Sequence, residues 1–468
     1  MKSPKEYYEI YHKYATISQR ETYKPFTEDL ATLVGYIKSE IQNLAATAWL
    51  EDQWGICQIG TGVGKTKIGV FIGAHYSILG NCLISVSREN LRDTEWPDEF
   101  RKWDRAEALE NLTIECHNTT IRRKNEVIDT LIVDEGHHLF APKGISFLKN
   151  NSFKRILILT ATIPKSKLKL LKELGLPIVY SYPIEQAEVD GIVSANSRYT
   201  LEVSLNDEER KVYDGINNDI DKCSELILLD PKKTYTEEQK AEIFSNKGKV
   251  FVWAQSVIER KTTFPGKSLN ESMRLAIAYL KYVNKRKDCV FYTVSKINAF
   301  ETLARKLIIP RREQAITFGE KTDVVDMLYD LFKEDQEIGH LFGKFHSNLK
   351  AKEKEISLTA FREGRKFILL SAKALREGMN VPSVKYGISL GGTSSELDTQ
   401  QEEGRTFRWE LGKHAIFINI VCRATVEMTW LKKSYQGRKT KPKVFDNVDT
   451  LIKHIEDAEY QRSLSFEI

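Results

Sequence analysis

Short apolar runs rich in β-branched residues recur along the chain, each closed by Gly, Pro, Ser or charge and most followed by a stretch with helical apolar spacing. They fall in two regions. The first holds "WGICQI", "NCLISVS", "TLIVDE" and "RILILTAT"; the second holds "DCVFYTV", "HLFGKFH", "KFILLSA", "YGISLG" and "AIFINIV". Continuous rather than alternating apolar runs mark strands buried on both faces, and strands that alternate with helices mark parallel sheets. The pattern predicts an α/β protein of two doubly wound parallel sheets, with 295–307 and 349–363 among the helices of the second. Between the regions, 202–269 is highly charged and reads as mainly helical; it supplies no strand–helix–strand unit and is expected to be a linker or insertion. A second inserted piece is expected over 308–338. The resulting order is an N-terminal extension 1–30, a first domain 31–200, a charged helical linker 201–270, a second domain 271–435 and a tail 436–468.

Length agrees with this division, since 468 residues exceed one ordinary core. Lys and Arg number 70 against 65 Asp and Glu, a net charge of +5 that permits nucleic-acid contact without demanding it. The six cysteines are scattered without ligand spacing, and most sit in apolar runs, so a reducing, intracellular and cytoplasmic protein without structural zinc is expected. The N-terminal "MKSPKEYYEIYHKY" has no apolar signal core, and no run approaches the roughly 18 apolar residues of a membrane span. No membrane role is expected.

Chemistry enters at "CQIGTGVGKTKIG". The generic phosphate-loop pattern has glycine where this chain has Ile59, yet a strand ends there, Gly60, Thr61, Gly62, Val63 and Gly64 follow, and Lys65-Thr66 open a helical pattern. That context suits phosphate: glycines let backbone N–H groups close on its oxygens, the helix N-terminus adds positive potential, Lys65 reaches the β- and γ-phosphates and Thr66 ligates Mg²⁺. The bland alternative is a glycine-rich turn. Some seventy residues on, Asp134-Glu135 close a hydrophobic strand, the Asp placed to hold Mg²⁺ and the Glu to polarise water. His137 and His138 are not expected to bind metal, because adjacent side chains diverge and no third ligand is evident. A strand running into Thr160-Ala161-Thr162 brings two hydroxyls to the carboxyl edge of the first sheet. In "TQQEEGRTFRWELGK", Gln401, Arg405 and Arg408 are expected on one helix of the second region; the arginines, at i and i+3, share a face that suits a phosphate across a cleft.

Together these residues resemble the superfamily 2 helicases and translocases, specifically the DExH-type group with phage branch-migration helicases, excision-repair unwinding subunits and restriction-enzyme motor subunits. The resemblance spans roughly residues 55–430. It rests on "TGVGKT" as motif I, "VSRENLRDTEWPDEFRKW" as motif Ia, "DEGH" as motif II, "LTAT" as motif III, "VFYTVSK" as motif IV, "ALREGMNVP" as motif V and "QQEEGRTFR" as motif VI. Motif I of this family does not require glycine at Ile59. The resemblance implies two RecA-like domains, with ATP and Mg²⁺ as cofactors. Lys65 and Thr66 would bind phosphates and Mg²⁺, Asp134 position the metal, Glu135 act as base, and His137, Thr160 and Thr162 couple the domains. Gly378 would line the cleft, and Arg405 and Arg408 contact the γ-phosphate. Asn380 stands where the motif usually has Asp, and no glutamine motif for adenine precedes the phosphate loop.

The same resemblance implies a nucleic-acid strand lying across both domains, gripped through its backbone by Ser87, Arg88, Thr293, Ser295, Ser371 and Lys373. DNA is favoured over RNA. The expected function is an ATP-dependent helicase or translocase. Two alternatives stand beside it: a duplex-remodelling or restriction-complex motor whose protein partner supplies nuclease or targeting, and a nucleotide-gated clamp that holds nucleic acid without cycling. The intact set Glu135, Arg405 and Arg408 argues against the clamp.

Overall fold

The computed structural model describes residues 24–164, 167–372, 381–391, 393 and 395–464. They form two compact units, one made of 1–202, 302–420 and 429–468, the other of 203–301 and 421–428.

The first unit contains two parallel sheets. One is built from β1 (Trp54–Ile59), β2 (Cys82–Val86), β3 (Leu112–Cys116), β4 (Val127–Val133), β5 (Ser152–Thr160) and β6 (Ile178–Tyr182), in the order β3-β2-β4-β5-β1-β6. Its paired strands run parallel. Strand alternation divides β1 between two cores: Cys57 and Ile59 pack with Trp49, Ile68, Trp96 and Phe100, whereas Ile56 packs with Leu83, Leu131 and Ile158 on the other face. The helix Lys24–Asp52 lies on the first of these cores through Val34, Ile41, Ala45 and Trp49, whose spacing of 7, 4 and 4 makes one helical stripe. Trp49 ends that stripe fully buried, its indole N–H donating to the Ile156 carbonyl at 2.8 Å.

The second sheet comprises β7 (Ala195–Val203), β8 (Ala315–Gly319), β9 (Phe342–Phe345), β10 (Ile368–Ala372), β11 (Tyr386–Ser389), β12 (His414–Cys422) and β13 (Lys443–Phe445), ordered β13-β7-β12-β11-β8-β10-β9. β8, β10 and β11 pair in parallel at its centre, and every residue of the three is buried. Two parallel-sheet α/β domains are therefore present, as the apolar pattern predicts.

Three details differ from the expectation. "DCVFYTV" is not a strand: its first four residues are the last turn of the helix Leu269–Phe291, and Val294 opens the next helix. The helix starts at Ser268, whose side chain accepts from the Glu271 N–H, and its buried residues Ser272, Ala276, Tyr279, Val283 and Val290 follow the helical period, so the β-branched run supplies a buried helix face. Conversely, the piece 308–338 expected as an insertion carries the central strand β8 and the helix Thr322–Lys333. The five-residue run "AITFG", set between charged segments, is too short to stand out. Finally, the chain around residue 200 adds β7 to the second sheet, and the expected tail carries β13 and the helix Val448–Leu464.

The second unit is helical, as expected of the charged middle, and it runs on to residue 301 rather than ending near 270. Its helices Asp207–Leu228, Val250–Ile258 and Leu269–Phe291 pack around Ile220, Ile227, Val250, Ala254, Phe264, Ala276 and Val283. A capping box of Asn206 and Glu209 starts the first helix. Lys296 and Glu427 form a buried pair at 2.7 Å, and Glu427 also accepts the Cys422 N–H, so the pair fixes where the returning segment 421–428 sits.

Candidate active site

The phosphate loop leaves the carboxyl end of β1. Ile59 is fully buried as the last strand residue, which explains the departure from the generic pattern: a core side chain occupies the place of the first glycine. The Gly60 N–H donates to the Tyr182 carbonyl at 2.8 Å. Gly62 and Gly64 have φ of 89° and 94°, left-handed values that favour glycine, and Gly64 caps the helix Lys65–Ser77. The loop is held from behind by Gln42 of the helix Lys24–Asp52, whose Nε2 donates to the carbonyls of Val63 at 2.7 Å and Gly64 at 3.3 Å. A β-carbon on Gly64 would lie 2.6 Å from that nitrogen. Lys65 is buried with Nζ 3.4 Å from Glu135 Oε1, and Thr66 follows it into the helix.

Asp134 and Glu135 follow β4. The Asp134 N–H donates to the Ser85 carbonyl; its Oδ1 accepts the Glu135 N–H at 3.0 Å and its Oδ2 the Trp96 indole N–H at 3.1 Å. Burial first, and the Glu135 charge second, push the Asp134 carboxyl up to about 6. Glu135 takes a left-handed φ of 48°, and the His137 Nδ1 lies 3.5 Å from its Oε2. At the end of β5 the Thr160 hydroxyl donates to the Thr162 carbonyl at 3.1 Å.

The second sheet contributes the helix Glu396–Thr406, which seats directly on this loop. The Thr162 hydroxyl donates to Gln400 Oε1, and the Thr61 hydroxyl donates to the Gln400 carbonyl at 3.4 Å. At Gly404 a β-carbon would fall 1.8 Å from Thr61 Oγ1, so only glycine permits this approach. Gln401 is 2% exposed and its Nε2 makes no hydrogen bond. Arg405 is pushed down to about 10 by burial and by Arg408, against the Glu95 and Glu135 charges; Arg408 is lowered by burial and donates to the Val381 carbonyl at 2.5 Å. Lys38 falls to about 8 through burial and Arg408. Arg405, Arg408 and Lys38 thus form a row of buried cations, a setting that favours a bound anion.

Of the residues read from the sequence, Gly60, Thr61, Gly62, Val63, Gly64, Lys65 and Thr66 form the loop and the start of its helix, Asp134, Glu135, His137, Thr160 and Thr162 follow the ends of β4 and β5, and Gln401 and Arg405 lie on the helix that contacts Thr61 and Thr162; Arg408, expected on the same helix face as Arg405, lies past the helix end. Gly378, Asn380 and Lys373 lie outside the described residues. Among the strand contacts, Ser87 is half-buried with an unbonded hydroxyl oxygen, and Arg88 is close enough to act electrostatically on Arg405. Two expectations are corrected. Thr293 is fully buried with its hydroxyl 3.6 Å from Cys422 Sγ, because the segment is helical rather than a strand edge; Ser295 is half-buried beside it. Ser371 is also fully buried, its hydroxyl donating to the Thr317 carbonyl at 2.5 Å in β8. Neither buried hydroxyl is available to a nucleic-acid strand. Sequence reasoning missed Gln42, Trp96 and Gln400, which act through hydrogen bonds to distant backbone or carboxylate and leave no local pattern.

Comparison with known proteins agrees with this geometry. A family described as the helicase conserved C-terminal domain matches residues 296–410. A protein of Sulfurisphaera tokodaii named DNA 3'-5' translocase XPB2 is 24% identical over 404 residues, covering 83% of this chain and 82% of that protein. A Methanocaldococcus jannaschii protein named putative ATP-dependent RNA helicase MJ1505 is 23% identical over 297 residues, 62% of this chain and 34% of that one. The solved structure of S. cerevisiae Dbp5 bound to RNA and ADP BeF3 superposes with a TM-score of 0.52 at 13% identity, covering 89% of this chain and 92% of the other. This chain is thus similar to superfamily 2 helicases. These similarities support an ATP-hydrolysing enzyme of the helicase or translocase kind. No described helix is long and apolar enough to cross a membrane.

Proposed function

We propose that the protein is an ATP-driven motor that steps along DNA, with the nucleotide as the removable bridge between its two RecA-like sheets. The observation that supports this reading is the contact of the helix Glu396–Thr406 with Thr61 and Thr162 through Gln400 and Gly404, the neighbours in sequence of Gln401 and Arg405. In this reading Lys65 and the loop amides hold the β- and γ-phosphates, and Arg405 and Arg408 meet the γ-phosphate from the second sheet. Glu135 takes the proton of the attacking water. The unbonded Gln401 Nε2 orients that water or a γ-phosphate oxygen. Hydrolysis then removes the shared anion, and the cations of the second sheet lose their reason to stay close.

Mg²⁺ fits the residues present. No cluster of three or more His, Cys, Asp or Glu suited to a metal occurs among the described residues, whereas Mg²⁺ typically takes one or two carboxylates, a hydroxyl and phosphate oxygens. Asp134 and Thr66 would hold it, and the raised Asp134 carboxyl is a group that a divalent cation would keep ionised. Bound there, the ion would neutralise charge developing on the phosphates.

DNA is proposed over RNA because the match to a DNA translocase extends over 83% of the chain and that to an RNA helicase over 62%. Translocation is separable from strand separation by experiment. On single-stranded DNA carrying a terminal streptavidin, ATP-dependent displacement of the streptavidin is expected; displacement from RNA alone, or from neither, would contradict this reading.

A further inference from the structure

Behind the nucleotide face of the helix Glu396–Thr406 lies a buried charge network that the chemistry above does not use. Glu403 is fully buried. Its Oε1 accepts from the Tyr435 hydroxyl at 2.6 Å and from Arg438 Nη1 at 3.2 Å, its Oε2 accepts from Arg438 Nη2 at 2.7 Å, and Arg198 Nε lies 3.1 Å from Oε2. Both arginines are 6% exposed, and each reaches a second carboxylate: Arg198 pairs with Glu188, and Arg438 Nε lies 3.7 Å from Glu185. Asn419 donates to the Tyr435 oxygen at 3.2 Å, and the Arg198 guanidinium sits 4.6 Å over the Phe407 ring. Glu185 and Glu188 belong to the helix Ile184–Val189, which directly follows the last strand of the first sheet. Arg198 comes from β7 of the second sheet, and Arg438 from the segment leading into β13.

Such a network is weak evidence for stability, because removing three charges from water costs about as much as their attraction returns. Burial alone would raise the Glu403 carboxyl, and the two guanidiniums outweigh it and hold it below the usual range. An apolar residue would fill the same space. What charge adds is direction: a carboxylate clasped by a two-pronged guanidinium has one orientation, whereas a leucine in a greasy slot can roll. On a helix advancing about 100° per residue, Glu403 stands about 200° from both Gln401 and Arg405, and about 60° and 100° from Gln400 and Gly404, which touch the loop. We propose that Glu403 is a positioning residue for hydrolysis: clasped by Arg198 and Arg438, it fixes the roll of the helix so that Gln401 and Arg405 face the phosphate loop. Through Glu185 and Glu188 the same arginines are themselves held by the helix Ile184–Val189. This deepens the proposed function and rests on its placement of Arg405 at the γ-phosphate.

The test is a double-substitution cycle. Turnover at saturating ATP and nucleic acid, and affinity for a fluorescent ATP analogue, are measured for Glu403→Gln in the wild-type and in the Arg405→Ala background. Glu403→Gln is expected to lower turnover roughly tenfold or more in the wild-type background, since small misplacements of a catalytic group are that costly. Nucleotide affinity should stay within about twofold, and in the Arg405→Ala background the same substitution should change turnover by less than about twofold, because its target is gone. Equal losses in both backgrounds mark a merely structural residue and overturn the proposal, as does undiminished turnover. Should Glu403→Gln fail to fold, Arg438→Lys keeps the charge and loses the two-pronged grip; it is expected to show the same pattern with a smaller loss, and full turnover would overturn the proposal. Full turnover by Arg405→Ala alone would remove the γ-phosphate assignment itself, an outcome distinct from the others that takes the positioning role with it.

Discussion

At the scale of single residues, the site depends on groups that touch the nucleotide through another side chain. Trp96 is the clearest: fully buried, it spends its only donor on Asp134 Oδ2. Trp96→Phe keeps the ring and removes the hydrogen bond, which to a charged acceptor is worth about 1.5–3 kcal/mol. The Mg²⁺ concentration for half-maximal ATP hydrolysis is expected to rise roughly tenfold or more, since that energy corresponds to one to two decades; an unchanged Mg²⁺ requirement would contradict the role given to Asp134. Lys38 offers a pH test. Its folded value of about 8 lies below the ordinary 10.5, so it favours the charged form less than a free lysine does, and a bound triphosphate would restore that form. ATP binding should then draw a proton onto Lys38, leaving affinity flat below pH 8 and weakening it by up to about tenfold per unit above. Titrating the ATP dissociation constant at pH 7, 8 and 9 checks this, and Lys38→Met should remove the slope.

At the scale of elements, the closest approach is that of the helix Glu396–Thr406 to the phosphate loop. Gly404→Ala places a β-carbon where Thr61 Oγ1 now sits, so helix and loop must separate. Analogue binding to the loop should survive within about threefold while turnover falls roughly a hundredfold, because only the second sheet's contribution to the transition state is displaced. Equal loss of binding and turnover would show that the loop itself had been distorted. The legibility of these elements in the sequence follows from their range. The phosphate loop, Asp134-Glu135 and the Gln401–Arg405 pair each stand in one short segment whose chemistry is local, and they could be read directly. β8 could not, because five buried residues between charges carry no period. "DCVFYTV" misleads for the opposite reason: its first residues are buried by a helix whose period starts at Ser272, well before Asp288. Glu403 was invisible because its meaning lies in Arg198 and Arg438, far away in sequence.

At the scale of the whole molecule, the proposed function has two parallel sheets each meet the nucleotide from one side, and a separate helical unit is carried in the chain between β7 and β8. Lys65→Ala should abolish hydrolysis, whereas Arg408→Ala should leave nucleotide affinity within about threefold and lower turnover roughly tenfold or more. Equal hydrolysis by both variants and the parent would contradict the assignment. The central claim is that hydrolysis is coupled to a nucleic-acid track. The measurement that tests it most directly is steady-state ATP hydrolysis alone and with single-stranded DNA, duplex DNA, a branched junction and RNA, at one fixed salt concentration because backbone binding is strongly salt-dependent. The account predicts stimulation by DNA, lost in Lys65→Ala. Hydrolysis that is the same with every nucleic acid as with none would contradict it.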